Sequence, residues 1–352
     1  MTHLRPTPHA LTHPDDLLRE GLVRHAQMPA LHEVSQNFRL RITPAMQRAI
    51  LTPDDPVARQ FVPDAAELRT RPEELIDPIG DAAHSPTPGL THRYPDRVIL
   101  HVTKTCDVYC RFCFRRETVG ETGPLSETAL HQALEYIART PAIREVILTG
   151  GDPMTLSTRR LADVLGRISA IAHVTTVRFH TRVPVVAPER ISAAMVALLA
   201  AQRPSVWVVL HTNHAQELTA EAQAAIGRLV DGGIPMLTQS VLLRGINDTH
   251  PALIGLFRAL QDIRVKPYYL HHCDLARGTS HFRTTLDEGR ALMRGLRGHL
   301  SGAAIPTYVL DIPGGYGKVP ITADHFTPGP APGTWRVTDW TGRVHDYADP
   351  VR

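Results

Sequence analysis

The chain has 352 residues, 21% of them charged, with a formal net charge of +3 at pH 7. It is long enough for one large domain with appendages or for two domains. This composition argues against a disordered chain and against a dedicated nucleic-acid binder. No run approaches the roughly 18 consecutive apolar residues of a membrane span. Because the amino terminus lacks the apolar segment of a signal peptide, we expect a cytoplasmic protein without membrane contact.

The chain falls into three regions. Residues 1–92 are rich in Pro, Asp and Arg, and we predict a mainly helical segment there. From residue 93 onward, apolar runs short enough to be strands alternate with helical patterns, such as the stripe from Leu130 to Ala138. The runs are RVILHV, REVILTG, VTTVRFHT, SVWVVLHT, PMLTQSVLL and VKPYYLHH. Such alternation predicts an α/β fold with a parallel sheet, here a partial (β/α)6 TIM-type barrel over residues 93–300. Residues 301–352 form a C-terminal extension that ends in a hairpin-like tail.

Polar residues cluster where each apolar run ends. The clusters begin at Thr103, Thr149, His180, His211, Arg244 and His271. In (β/α) barrels the active site is built from the loops at the carboxyl ends of the strands. We therefore expect six strand ends to converge on one mouth.

Three of the four cysteines lie together in CDVYCRFC, as Cys106, Cys110 and Cys113. Three thiolates at this spacing can bind a [4Fe–4S] cluster and leave one iron without a cysteine. An iron of that kind can bind a small molecule and take part in chemistry. A zinc site is the alternative, with Cys273 or a histidine as fourth ligand. Four cysteines in a chain of this length do not make a disulfide framework.

Lys318 lies in DIPGGYGK, a glycine-rich loop between prolines. The sequence does not match a P-loop, because Ile312 and Val319 stand at positions that need Gly and Ser or Thr. A lysine on such a loop can instead hold pyridoxal phosphate (PLP) as an imine, and Arg93, Tyr94 and Arg97 in HRYPDR could then bind the phosphate. An exposed loop lysine and a solvated turn are the ordinary alternatives.

The cysteine run, placed after the first strand of a βα array, resembles the signature of the radical S-adenosylmethionine (SAM) superfamily. Thr149-Gly150-Gly151-Asp152 resembles that superfamily's GGE-like motif, whose backbone meets the SAM amino group. The chain as a whole resembles the lysine 2,3-aminomutase family. The matching stretches are HRYPDRVILHVTKTCDVYCRFCFRR, TGGDP, RFHTRVPVV, QSVLLRGIND, PYYLHHCDL, HFRT, GLRGHLSG and DIPGGYGK. The resemblance implies a barrel of the radical SAM type, a [4Fe–4S] cluster, SAM, PLP on Lys318 and migration of an amino group between adjacent carbons.

The resemblance also implies the substrate contacts of an isomerase acting on L-lysine. Arg115 matches the arginine that pairs with the substrate carboxylate, while Asp274 and Asp311 match the carboxylates that hold the distal ammonium. The residues matching positions around SAM or PLP are Arg182, His211 and Gln239. An external one-electron reductant and a homo-oligomer are expected. Zinc binding is in doubt, because the chain has no cysteine after Cys273 and carries Thr249 where the family often has one.

Two alternatives stay open beside a free-lysine mutase giving β-lysine. One is a related 2,3-aminomutase, either the type that makes (R)-β-lysine for modification of elongation factor P or one that acts on another amino acid. The other belongs to a different class, namely a non-catalytic zinc or iron–sulfur protein on a degenerate barrel, for which Lys318 would serve no chemistry. Substrate profiling and the chirality of the product would distinguish the first alternative from a free-lysine mutase. PLP absorbance and SAM cleavage would distinguish an enzyme from the second alternative, which predicts neither.

Overall fold

The computed structural model describes residues 9–120, 123–322, 325–332, 334–339 and 341–349. The first part contains four short helices: α1 (Pro14–Arg19), α2 (Met28–Asn37), α3 (Pro44–Ala49) and α4 (Ala58–Phe61). Each of the first three has Pro at its first or second position, where the missing N–H costs nothing. Among the described residues no helix is long and apolar enough to cross a membrane.

A nine-stranded sheet forms the centre of the molecule. Its strands are β1 (Leu90–Tyr94), β2 (Arg97–Thr103), β3 (Glu145–Gly150), β4 (Thr176–Thr181), β5 (Ser205–His211), β6 (Met236–Leu242), β7 (Lys266–His272), β8 (Thr307–Asp311) and β9 (Lys318–Pro320). They lie in sequence order, and β2 to β8 are parallel. Antiparallel β1 and β9 flank them. The predicted α/β class is confirmed, and the six predicted strands are β2 to β7.

The crossover helices between the parallel strands carry the predicted apolar stripes. They are α5 (Glu127–Ala138), α6 (Thr158–Ser169), α7 (Val183–Val186), α8 (Ala193–Ala200), α9 (Ala220–Asp231), α10 (His250–Asp262) and α11 (Leu286–Leu296). In α5 the stripe is buried from Leu130 to Ile137, whereas Ala138, the last residue of the helix, is exposed. Both α5 and α6 begin at a Ser whose side chain accepts a backbone N–H of the first turn. One core cluster joins the inner face of these helices to the sheet and to the N-terminal helices.

The C-terminal extension contains both β8 and a second, smaller sheet. That sheet consists of β10 (Phe326–Pro328), β11 (Thr334–Thr338) and β12 (Val344–Ala348) in antiparallel order. The predicted boundary at residue 93 falls inside β1, and the boundary at 301 precedes β8, which pairs with β7. The central sheet therefore runs through both predicted boundaries.

Candidate functional site

One cavity of about 370 Å³ opens at the carboxyl ends of the parallel strands. Every residue that the sequence predicted for the site lines it: Arg93, Tyr94, Arg97, Cys106, Cys110, Cys113, Arg115, Gly150, Gly151, Asp152, Arg182, His211, Gln239, Asp274, Asp311 and Lys318. The structure thus brings together residues that are spread over more than 200 positions of the chain. Their individual roles remain predictions.

One strand end differs from expectation. The residues of β6 that line the cavity are Gln239 and Val241, within the strand, and not the Arg244–Asn247 cluster that follows it. Arg244 pairs with Glu288 near the surface, and buried Asn247 donates to the carbonyl oxygens of Asn213 and Val241. The polar cluster after β6 therefore closes a turn, because buried backbone carbonyls need donors.

The cysteine end of the cavity is lined by Cys106, Cys110, Cys113 and Arg182, and Glu217 lies behind Arg182. The three cysteines follow β2, are unpaired, and face the cavity from one loop. Burial raises the pKa of the Cys113 thiol to about 11. Metal binding would have to displace these protons, as it does in thiolate sites generally. The loop geometry fits a cluster held by three thiolates.

Arg182 places a positive charge against Cys110. Its Nη1 donates to the Cys110 sulfur over 2.8 Å, and its Nη2 contacts Glu217 Oε2 and Gln60 Oε1, both at 2.5 Å. Glu217 Oε1 in turn accepts from the backbone N–H groups of Asn213 and His214. Arg182, Glu217 and Gln60 are all buried. This network holds the Arg182 guanidinium in one orientation. Its positive charge then stabilises a thiolate at Cys110.

Sequence reasoning missed Glu217 and Gln60. Glu217 lies six residues after the predicted His211 and could have been noticed as part of the same strand-end cluster. Gln60 belongs to α4, far from any recognised motif, so no signal in the sequence indicated it.

The Gly150-Gly151-Asp152 turn packs against the cysteine loop. Gly150 has a φ of +112°, and a Cβ on Gly151 would lie 2.2 Å from the Thr105 carbonyl oxygen. Asp152 accepts hydrogen bonds from the Thr181 hydroxyl and from the backbone N–H groups of Met154, Arg182 and Val183. These glycines are therefore needed for close packing of two loops. The predicted backbone contact with SAM is compatible with this arrangement and remains a prediction.

The lysine end of the cavity consists of Lys318, Asp311, His271 and Asp274. Asp311 Oδ1 accepts from Lys318 Nζ at 2.5 Å, and Asp311 Oδ2 lies 3.0 Å from His271 Nδ1. Burial raises the pKa of Asp311, but the His271 hydrogen bond and the Lys318 charge outweigh burial and leave that pKa at about 2. Asp311 is thus an ionised carboxylate held between two partners.

Asp274 faces the cavity without such partners. Within the part of the chain that the structure describes, no side chain or backbone N–H donates to its carboxylate. Burial, followed by repulsion from ionised Asp311, raises the pKa of Asp274 to about 7, although Lys318 and Arg115 partly oppose this. A buried carboxylate without a hydrogen-bond donor is costly. The position therefore favours a cationic ligand.

Arg93 and Arg115 share one carboxylate that the sequence analysis missed. Asp81 accepts from Arg115 Nε and Nη2 at 3.0 and 2.7 Å, and it lies 3.3 Å from Arg93 Nη2. The buried Nε of Arg93 has no hydrogen-bond partner in the described part of the chain, and so it can donate to an anion in the cavity. Tyr94, the next residue, accepts from the backbone N–H of Lys318 at 2.9 Å, which places this pair beside the lysine loop. Such a donor set fits a phosphate near Lys318.

Two further histidines bring unpartnered ring nitrogens to the cavity. The Nε2 atoms of His211 and His180 are buried and form no hydrogen bond to any residue that the structure describes. Burial lowers the pKa of both well below the usual value, so both rings are neutral and each can donate or accept one hydrogen bond. His211 lies beside Gln239 across the strand pair and packs edge-on against Phe112. Both histidines are therefore placed to form a hydrogen bond with a ligand in the cavity.

The fourth cysteine packs in a small apolar cluster. Cys273 is buried among Phe112, Leu243, Ile246 and Phe282. In the described ranges no three His, Cys, Asp or Glu side chains are placed to hold a single metal ion. That observation does not argue against a cluster, in which each thiolate binds a different iron.

Comparisons with known proteins agree with this geometry. Residues 100–256 match the family model described as "Radical SAM superfamily", and residues 293–350 match the model described as "Lysine-2,3-aminomutase". The chain is 40% identical over 318 residues to the L-lysine 2,3-aminomutase of Fusobacterium nucleatum, covering 90% of this chain and 74% of the relative. It is 44% identical over 291 residues to that of Acetoanaerobium sticklandii, covering 82% and 70%.

A relative with another substrate is also similar. The glutamate 2,3-aminomutase of Clostridioides difficile is 37% identical over 324 residues, covering 91% of this chain and 76% of the relative. Similarity over the whole chain therefore indicates the family, whereas the substrate has to be argued from the cavity.

Proposed function

The chain belongs to the lysine 2,3-aminomutase family of the radical SAM superfamily, and from this membership we propose that it interconverts L-lysine and β-lysine. The proposal includes a [4Fe–4S] cluster on Cys106, Cys110 and Cys113, with SAM, and PLP on Lys318. When bound, the cluster and SAM supply a carbon radical that removes substrate hydrogen, and PLP carries the migrating nitrogen. A reducing cytoplasm and an external one-electron donor fit this chemistry.

The observation that carries the choice of lysine is the unpaired carboxylate of Asp274 beside Asp311. The distal ammonium of lysine would give Asp274 the cation it lacks, and it would relieve the repulsion between the two carboxylates. The side-chain carboxylate of glutamate would instead add a third negative charge at the same place. Because like charges in a buried site cost several kcal/mol unless compensated, Asp274 and Asp311 select lysine over glutamate.

The protein's own residues would orient the substrate. Arg115 is held by Asp81 through Nε and Nη2, so the rest of its guanidinium is free to bind a carboxylate in one fixed orientation. With Lys318 engaged by PLP, Asp311 would lose its ion-pair partner, so both carboxylates would face the distal ammonium of an incoming substrate. Fixing both charged groups of lysine determines which carbon faces the cysteine end.

The test is an anaerobic assay of the reconstituted protein with SAM, PLP and a chemical reductant. L-lysine and L-glutamate are supplied separately, and the products are separated by chiral chromatography. We expect β-lysine from lysine and no β-glutamate from glutamate. Absence of β-lysine from protein with a full cluster and bound PLP would refute the proposal. Turnover of glutamate alone would retain the chemistry but refute the role of Asp274.

A further inference from the structure

The cysteine loop has two faces. Its inner face presents the three thiols to the cavity, whereas Tyr109, between Cys106 and Cys110, does not line the cavity. Tyr109 instead lines a second depression on the outside of the loop, which we name the outer groove. The outer groove consists of Thr12, His13, Pro14, His32, Ser35, Gln36, Arg39, Leu40, Arg41 and Tyr109. Residues of the cysteine loop therefore line both the cavity and the outer groove.

The outer groove is joined to the cysteine loop by hydrogen bonds. The backbone N–H of Tyr109 donates to the Arg41 carbonyl at 3.0 Å, and Arg41 Nε donates to the Asp107 carbonyl at 3.0 Å. Nη1 of buried Arg111, within the cysteine run, donates to the Arg39 carbonyl at 2.8 Å. A partner seated in the groove would thus contact backbone that is directly bonded to the metal-binding loop.

The charge of the outer groove is positive. Arg39 and Arg41 line it together with two histidines, and among the described residues no Asp or Glu lines it. Two carboxylates lie at one end: Asp15 is 3.0 and 3.5 Å from ring nitrogens of His13 and His32, and Asp16 pairs with Arg19 and accepts from the backbone N–H groups of Thr12 and His13. Arg39 is exposed, and its Cδ and the Tyr109 hydroxyl both pack over Gly120, which has no side chain to displace them. The guanidinium of Arg39 is therefore presented to solvent beside Tyr109.

We propose that the outer groove is the docking surface for an acidic one-electron carrier protein that reduces the cluster. The inference rests on the proposed function, because that function requires an electron from outside. In the step the carrier loses one electron, the cluster gains one, and no bond is formed or broken. Encounters of redox proteins use small interfaces, and charge complementarity raises their association rate more than their affinity. The outer groove is small and cationic, and it lies on the outside of the loop that carries the three thiols. It therefore meets both requirements, a small interface and a complementary charge.

The experiment uses the reconstituted holoprotein and a purified [2Fe–2S] ferredoxin of negative net charge, reduced beforehand. Cluster reduction is followed by stopped-flow absorbance and by electron paramagnetic resonance. The affinity for the ferredoxin is measured separately by titration. The variants are Arg39→Glu, which reverses one exposed charge, and Gln36→Glu, which adds a negative charge without removing an arginine. The matched control is Arg336→Glu on β11, an exposed arginine outside the groove. Dithionite, a small reductant, is used in parallel.

We expect each groove variant to lower the second-order rate constant with ferredoxin by roughly tenfold at low salt, with a smaller difference at high salt. Arg336→Glu should behave as the unmodified protein, and dithionite should reduce all four proteins at one rate. Equal ferredoxin rates and affinities in the groove variants and the unmodified protein would overturn the proposal. A reduced cluster that cleaves no SAM in the unmodified protein would instead count against the proposed function, while the ferredoxin affinities would still test the groove.

Discussion

The two ends of the cavity differ in whether the protein itself provides partners for their charged side chains. At the cysteine end, the charge of buried Arg182 is matched by Glu217, and Glu217 is matched by two backbone N–H groups. At the lysine end, Asp274 has no donor among the residues that the structure describes, and Asp311 depends on Lys318 and His271. Charges satisfied by the protein itself fix a geometry, whereas buried charges without partners require a ligand. The comparison indicates that the cysteine end is preorganised and the lysine end is completed by what binds.

The largest effect should follow from removing the lysine that completes the second end. We expect Lys318→Ala to lower β-lysine formation by about 10³-fold or more, the scale for a group that acts directly on substrate. PLP absorbance at the imine band should disappear, and the iron content should not change. The matched control is Lys266→Ala, because the Nζ of Lys266 donates only to backbone carbonyl oxygens outside the cavity. Retention of activity in Lys318→Ala would contradict the assignment of PLP.

Substitutions at the cysteine end should mainly lower the stability of the folded protein. Glu217→Gln would place an amide where Arg182 needs a carboxylate, and breaking one partner of a buried pair costs about 3–5 kcal/mol. We expect a clearly lower Tm and poorer iron retention after reconstitution. Glu288→Gln is the control, because the Arg244–Glu288 pair is about half exposed and exposed pairs contribute little to stability. Equal Tm values for the two variants would show that the Arg182 network is not preorganised.

Substitutions at the lysine end should mainly lower the affinity for the substrate. Asp274→Asn removes the negative charge that would pair with the distal ammonium, and charge-assisted hydrogen bonds contribute about 1.5–3 kcal/mol. We therefore expect kcat/KM for lysine to fall by roughly 10- to 150-fold, mainly through KM. Asp54→Asn, at an exposed position, is the matched control. If the loss appeared in kcat with KM unchanged, Asp274 would act on the reaction and not on binding.

The pH dependence of KM should report the same carboxyl group. Since the pKa of Asp274 is raised to about 7 by burial and by Asp311, its ionised fraction falls as pH drops from 8 to 6. Only the ionised form attracts an ammonium, so KM for lysine should rise about tenfold over that range. The dependence should be absent in Asp274→Asn. A flat profile in the unmodified protein would mean that Asp274 is already ionised at pH 6.

The residues that line the cavity could be predicted from the sequence, whereas the hydrogen bonds and ion pairs that hold them could not. Strand positions and the polar strand-end clusters followed from short apolar runs and from the geometry of parallel sheets, whereas the individual substrate residues followed from the family resemblance. Asp81, Gln60 and Glu217 were not predicted, because a buried ion pair between distant segments leaves no periodic signal in one sequence. Arg244 was misplaced for a related reason, since a polar residue after a strand serves a turn as readily as a site. Which charges are paired internally is a property of the folded packing.

The smallest effect is the one that distinguishes the two ends most directly. The pKa of Asp274 is about 7 in the folded protein and 3.8 in a model carboxyl group, so the folded protein holds this proton more tightly than the unfolded chain does. Ionisation of Asp274 therefore destabilises the fold progressively as pH rises from about 4 to about 7, and the full cost is present above pH 7. In protein without PLP and SAM, Asp274→Asn should then raise Tm at pH 8, by about 2 °C or more, and leave it unchanged near pH 4. Glu217→Gln should lower Tm at pH 8. Opposite signs for these two neutralised carboxylates would establish that Asp274 costs stability in the absence of substrate, whereas a lower Tm for both would show that Asp274 has a protein partner.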